Sequence, residues 1–235
     1  MGGIEGAETI GRSGLPELVS DASELSRSRA RDLAERVQRR KGIPLRTAYI
    51  RSSDMSEDPP LARLIRSGGR GGATAVKLHL GLVWLAARPP FEVKGVSSRV
   101  WAELLDLDDP SVNGKRRINQ ALVKLEQERL IHVERSRGGA STVRLLVESG
   151  VGLPYVDVPS TARFRAAPAD RHDHDYFQVP RTLWLNGHIQ SMSAKALAML
   201  LVITEEQFGD HEREVWWSEQ RFRDLFGLSR ATRSE

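Results

Sequence analysis

The chain has 235 residues, 40% of them hydrophobic and 28% charged, with a net charge of +4 and no cysteine. This is ordinary globular composition, and the absence of cysteine excludes disulfides, cysteine-ligated zinc and cysteine nucleophiles together. No apolar run approaches the roughly 18 residues needed to span a bilayer, and the start, Met1 to Gly11, lacks the basic end and apolar stretch of a signal peptide, so a cytoplasmic protein is expected.

Residues 1–72 read as an N-terminal arm. A helix is expected from Ala22 to Arg40, capped by Asp21 and stopped by Gly42 and Pro44. Its apolar stripe is thin, and its arginines suit either a solvated helix or a basic arm lying along phosphates. The run Gly68-Gly69-Arg70-Gly71-Gly72 reads as a hinge; it lacks the Gly-Lys-Ser/Thr of a phosphate-binding loop. From Thr74 a densely apolar helix runs to Leu85 and is closed by Pro89-Pro90. Phe91-Glu92-Val93 is a short extended piece, and Ser97 then caps a helix with Val100, Trp101, Leu104 and Leu105 inward. After the acidic turn 106–110, Gly114 to Arg129 is a third helix, with Ile118, Ala121, Leu122 and Leu125 at core spacing. Leu130 to Arg135 and Thr142 to Leu146 are two strands, joined through Gly138-Gly139 as a hairpin.

Charge is polarised along this stretch. Residues 101–110 carry −4, whereas residues 111–144 hold eight Lys or Arg against three acids. Positive charge at the start of a helix, followed by amides, is what reading a DNA major groove requires. Arg116, Asn119, Gln120 and Val123 are the candidate base readers. Lys115 and Arg117 are candidate phosphate contacts, Lys124 is a further DNA-binding candidate, and Arg135 and Arg137, flanking the hairpin glycines, are candidate wing contacts.

The order helix, short strand, helix, turn, helix, strand, basic loop, strand over Gly72 to Leu146 resembles the winged-helix family of bacterial DNA-binding domains. A second copy is suggested downstream. Ser97, Trp101, Glu103, Leu104, Leu105 and Leu107 match Ser218, Phe222, Asp224, Leu225, Phe226 and Leu228 at a constant offset of 121. Ser193 to Ile203 stands for the first helix of that copy and Val215-Trp216-Trp217 for its short strand. Arg230, Thr232 and Arg233 stand for the first turn of its third helix, where the pattern stops.

The expected fold is therefore mainly α with small β-hairpins, an α+β protein. It comprises the arm (1–72), a winged-helix unit (73–147), a connector (148–176) and an incomplete second unit (177–235). The resemblance implies double-stranded DNA as partner, in the nucleoid, for a transcription regulator or a replication-initiator-like protein. A second copy, or another protein, is expected to cover the incomplete unit. The alternative is a protein-interaction scaffold on the same units, without DNA binding. Arg171-His172-Asp173-His174-Asp175 could offer imidazole and carboxylate ligands, but no further ligand is evident and no metal or other cofactor is expected. No catalytic residue is expected either: the sequence shows no nucleophile elbow and no metalloprotease motif.

Overall fold

The computed structural model describes residues 21–37, 42–52, 57–66, 69–136, 139–157, 175–208, 210, 212–229 and 232. The chain is mixed α+β. Its elements are α1 (Glu24–Arg36), β1 (Ile43–Arg46), a 3-10 turn (Thr47–Tyr49), α2 (Pro60–Arg66), α3 (Gly69–Leu85), β2 (Glu92–Val93), α4 (Ser98–Leu104) and α5 (Asn113–Gln127). There follow β3 (Ile131–Glu134), β4 (Thr142–Leu145), β5 (Tyr176–Val179), α6 (Thr182–Leu185), α7 (His188–Ser191), α8 (Ala194–Glu206) and α9 (Glu219–Phe226).

Two small antiparallel sheets are present among the described residues. One has the order β2-β4-β3, with Val93 and Val133 both opposite Val143. Its alternating Ile131, Val133, Val143 and Leu145 are buried, so one face closes the core under α5. The other sheet pairs β1 with β5 in the register Ile43↔Val179 to Arg46↔Tyr176. It joins the start of the chain to the approach of its last third.

Several sequence expectations are corrected. The first helix is capped by Ser23, whose Oγ accepts from the Ser26 N–H at 3.2 Å, and not by Asp21; it ends at Arg36. Gly69 is already the first residue of α3, so the glycine run is not a hinge from that point on. The physical reason is packing: a Cβ at Gly72 would stand 2.9 Å from the Leu64 carbonyl oxygen at the end of α2. Val215-Trp216-Trp217 forms no strand. Residues 38–41, with the cations Arg39, Arg40 and Lys41, and the cluster 171–174 lie outside the described residues; Asp175 is described, and its carbonyl accepts from the Thr47 N–H at 2.9 Å.

The described part of residues 21–66, expected as an arm, packs onto the later helices. Ser26 Oγ–H donates to the Leu104 carbonyl at 2.7 Å, and the Ser52 N–H donates to the Leu225 carbonyl at 2.9 Å. One contiguous set of buried residues runs from Ala30 to Leu228. At its centre Trp84 of α3 stacks on Trp184 of α6, ring centroids 5.7 Å apart, both essentially without solvent exposure. Arg46 and Glu148 form a fully buried ion pair between β1 and the segment after β4. Arg46 Nη2–H also donates to the Val156 carbonyl at 2.6 Å, and its guanidinium lies 4.9 Å from the Tyr155 ring centroid.

Candidate nucleic-acid interface

Helices α4 and α5 are set against each other by a turn in which both exposed aspartates with left-handed backbone have a task. Asp106 (φ 53°) accepts from the Ser23 N–H at 2.9 Å and from its hydroxyl, which fastens α1 to the turn. Asp109 (φ 47°) caps α5, its carboxylate oxygens accepting from the N–H groups of Val112 and Asn113, both at 3.3 Å. Gly114 then lets the helices approach: a Cβ there would lie 2.8 Å from Ala102 Cβ and 3.1 Å from the Asp109 carbonyl oxygen. The start of α5 is thereby fixed in place while its outer side stays open.

The buried side of α5 is the expected one, with Ile118, Ala121, Leu122 and Leu125 in the core. The open side carries Lys115, Arg116, Asn119, Gln120 and Val123, all exposed, with Val112 just before the helix. They surround a shallow depression of about 630 Å³. Of the twelve candidate contacts read from the sequence, the structure brings these five together on one strip.

The other candidates are placed differently. Arg117 is half-buried and its Nη2–H donates to Thr74 Oγ1 at 3.0 Å. Lys124 reaches over α2 to the Leu64 carbonyl, and burial lowers its pKa. Arg135 pairs with Glu126 at 2.9 Å, tying the end of β3 to α5. Burial raises the Glu126 carboxyl, but Arg135 and the Val133 N–H outweigh it and hold the group below its ordinary range. Thr232 is buried, its N–H donating to the Ser229 carbonyl at 3.0 Å. Arg137, Arg230 and Arg233 lie outside the described residues.

Internal pairing also occupies many of the basic side chains elsewhere among the described residues. On α1, Arg27 and Arg31 pair with Glu24, and Arg29 pairs with Asp32 and, at 2.8 Å, with Glu103. Burial pushes the Glu103 carboxyl up, yet Arg99 and Arg29 together hold it below the usual carboxylate range. Arg144 bridges Glu92 of β2 (3.2 Å) and Glu134 of β3 (2.7 Å) across the sheet. The Arg27, Arg29 and Arg31 pairs occupy three of the arginines of α1, a helix also docked through its buried Ser26, Ala30 and Leu33. By contrast, Lys115 and Arg116 carry no side-chain hydrogen bond or ion pair among the described residues. The signals for Asp109 and Val112 were present in the sequence, as an acid a few residues ahead of a helix and an apolar residue in a polar run. The Arg117 to Thr74 bond and the docking of α1 had no local signal.

The 218–228 segment repeats the local geometry of 97–107. Ser97 and Ser218 both cap, accepting from Val100 and Arg221 N–H. The pairs Trp101/Phe222, Leu104/Leu225, Leu105/Phe226 and Leu107/Leu228 are all buried. Asp106 and Gly227, also 121 residues apart, both have left-handed backbone, φ 53° and 60°. No protein-family model, no curated protein and no solved structure matches the chain. No helix among the described residues is long and apolar enough to cross a membrane, and no group of three or more metal-ligating side chains occurs among them.

Proposed function

We propose that the chain binds double-stranded DNA as a winged-helix protein, with α5 entering the major groove and the β3–β4 hairpin acting as the wing beside it. The observation that carries this reading is the open strip of α5. Among the described residues, Lys115 and Arg116 stand unpaired at a helix start, next to two amides, while neighbouring cations are consumed by internal bonds. The order β2-β4-β3 under α3, α4 and α5 agrees with that reading. In it, 218–228 belongs to a second unit, so that the protein is a tandem regulator or a replication-initiator-like protein of the bacterial cytoplasm, with a second copy or another protein against that unit. A protein-interaction scaffold is the second reading. Trp216, 84% exposed, favours it, because large aromatics are enriched in protein interfaces.

The test is fluorescence anisotropy of a labelled duplex with the full chain across a salt series. Affinity should fall steeply with salt, the log–log slope losing about 0.9 per phosphate contact removed. Lys115→Ala with Arg116→Ala should weaken binding by at least about tenfold at an unchanged melting temperature, since exposed unpaired charges contribute little to folding. A folded wild type that ignores duplex DNA at low salt removes this reading in favour of the scaffold.

A further inference from the structure

Two valines on the open strip of α5 serve neither the core nor the cap of that helix. Val112 is 68% exposed at a helix-start position where Asn, Asp, Ser and Thr are favoured, and it caps nothing, because Asp109 does the capping. Val123 is 45% exposed, three residues past Gln120. Isolated exposed valines are ordinary. These two, however, lie on the same depression, one at each end, with Lys115, Arg116, Asn119 and Gln120 between them. Eleven residues of helix separate them, roughly 16 Å at 1.5 Å per residue, or about five base pairs at 3.4 Å.

The polar middle of the strip is biased toward donors. Lysine and arginine only donate. Asn119 could present either end of its amide, but Ser98 Oγ–H donates to Asn119 Oδ1 at 2.8 Å, which turns the oxygen toward α4 and leaves the Nδ2 donors on the open side. In the major groove guanine shows two acceptors, thymine an acceptor and a methyl group, adenine an acceptor and a donor, and cytosine a donor. Donors between two methyl-binding ends therefore suit guanine between thymines.

We infer, on the basis that α5 enters the major groove, that the strip reads thymine methyl groups at both ends through Val112 and Val123 and guanine acceptor edges between them. Ser98 is a positioning residue that sets Asn119 with its donors outward. Asn119 is accordingly not used as a two-bond reader of adenine, the contact an unrestrained asparagine would make.

The experiment selects binding sites from a random duplex pool with the full chain, then replaces each selected thymine by deoxyuridine, which lacks only the C5 methyl. The expected loss is about fourfold per end thymine, the worth of one buried methyl group. Val112→Ala should abolish the loss at one end and Val123→Ala at the other, each variant binding the thymine site about fourfold more weakly than wild type, as wild type binds the deoxyuridine site. Ser98→Ala should leave the salt slope and melting temperature unchanged while the preference for guanine over adenine at the central pair shrinks from about tenfold toward parity. Equal binding of thymine and deoxyuridine sites, or a Ser98→Ala profile identical to wild type, overturns the inference while salt-dependent binding leaves the DNA reading standing. Absence of duplex binding at low salt overturns both.

Discussion

Lys115 and Arg117 are two positions apart, carry the same charge, and do different work. On a helix that separation turns a side chain by about 200°, so Lys115 faces the open depression while Arg117 turns back to Thr74 on α3. Charge counting along the sequence found the basic helix start, because three consecutive cations are visible as letters. It could not sort them, because the sorting depends on where α3 lies. His79 illustrates the same limit. A histidine within an apolar run can face the core or an edge; the structure shows His79 without solvent exposure, stacked on Tyr49 with centroids 4.8 Å apart. Burial pushes its pKa down to about 3, from an ordinary value near 6.5. The folded protein therefore resists a proton that the unfolded chain accepts. Stability from this group is complete above the unfolded pKa and falls as pH drops below it, because the unfolded state binds more protons there. Between pH 7 and 5 the loss should be about 2 kcal/mol. His79→Phe keeps the stacked aromatic and removes the proton site, so lowering pH through this range should move the denaturant midpoints of the two proteins in favour of the variant. A constant difference would place the burden elsewhere.

At the scale of elements, the pairing of α4 with α5 depends on a close approach more than on its charges. Gly114 lies in the first turn of α5, where glycine is a poor helix former, and its value is the absence of a Cβ facing Ala102 and the Asp109 carbonyl. Gly114→Ala improves helix propensity yet should destabilise the fold by about 1–3 kcal/mol, since a well-packed contact must open to admit the methyl group. Urea denaturation measures the cost. Duplex affinity should fall with it, because α5 tilts away from α4, whereas a merely propensity-driven gain in stability would show that the helices have room. The periodicity of α5, the Ser97 cap and the β3–β4 hairpin were all legible, as each is a local pattern of fewer than about 15 residues. Pairing of β1 with β5 was not. Its strands are four residues long, one contains Pro44, and 136 positions separate Ile43 from its partner Val179. The face of α5 was legible from its buried stripe, but the Ser98 bond that orients Asn119 required the crossing of two helices.

At the scale of the whole molecule, the N-terminal third is the splint for two similar helix–turns. Ser26 donates to the carbonyl of Leu104, and Ser52 to that of Leu225, the residues that correspond at the offset of 121. Asp106 after the first helix is tied to Ser23, and the carbonyl of Gly227 after the second accepts from Arg66 at 2.6 Å. Held at both turns and by the β1–β5 ladder, the described elements share one core, and they should unfold together. The buried pair Arg46 and Glu148 tests this. Burial raises the Glu148 pKa while Arg46 opposes it, so the carboxylate depends on its partner to stay charged. Arg46→Met leaves an acid in an apolar setting and should cost about 3–5 kcal/mol, whereas Arg46→Met with Glu148→Met should recover most of that loss, because two apolar side chains need no compensation. Tryptophan fluorescence reports the surroundings of the five tryptophans, the stacked and buried Trp84 and Trp184 among them, and far-UV circular dichroism reports the helices throughout. Coincident transitions in the wild type and in both variants are expected for a single cooperative structure. Separation of the two signals in Arg46→Met would mean that this pair, and not the shared apolar core, holds the N-terminal splint to the remainder.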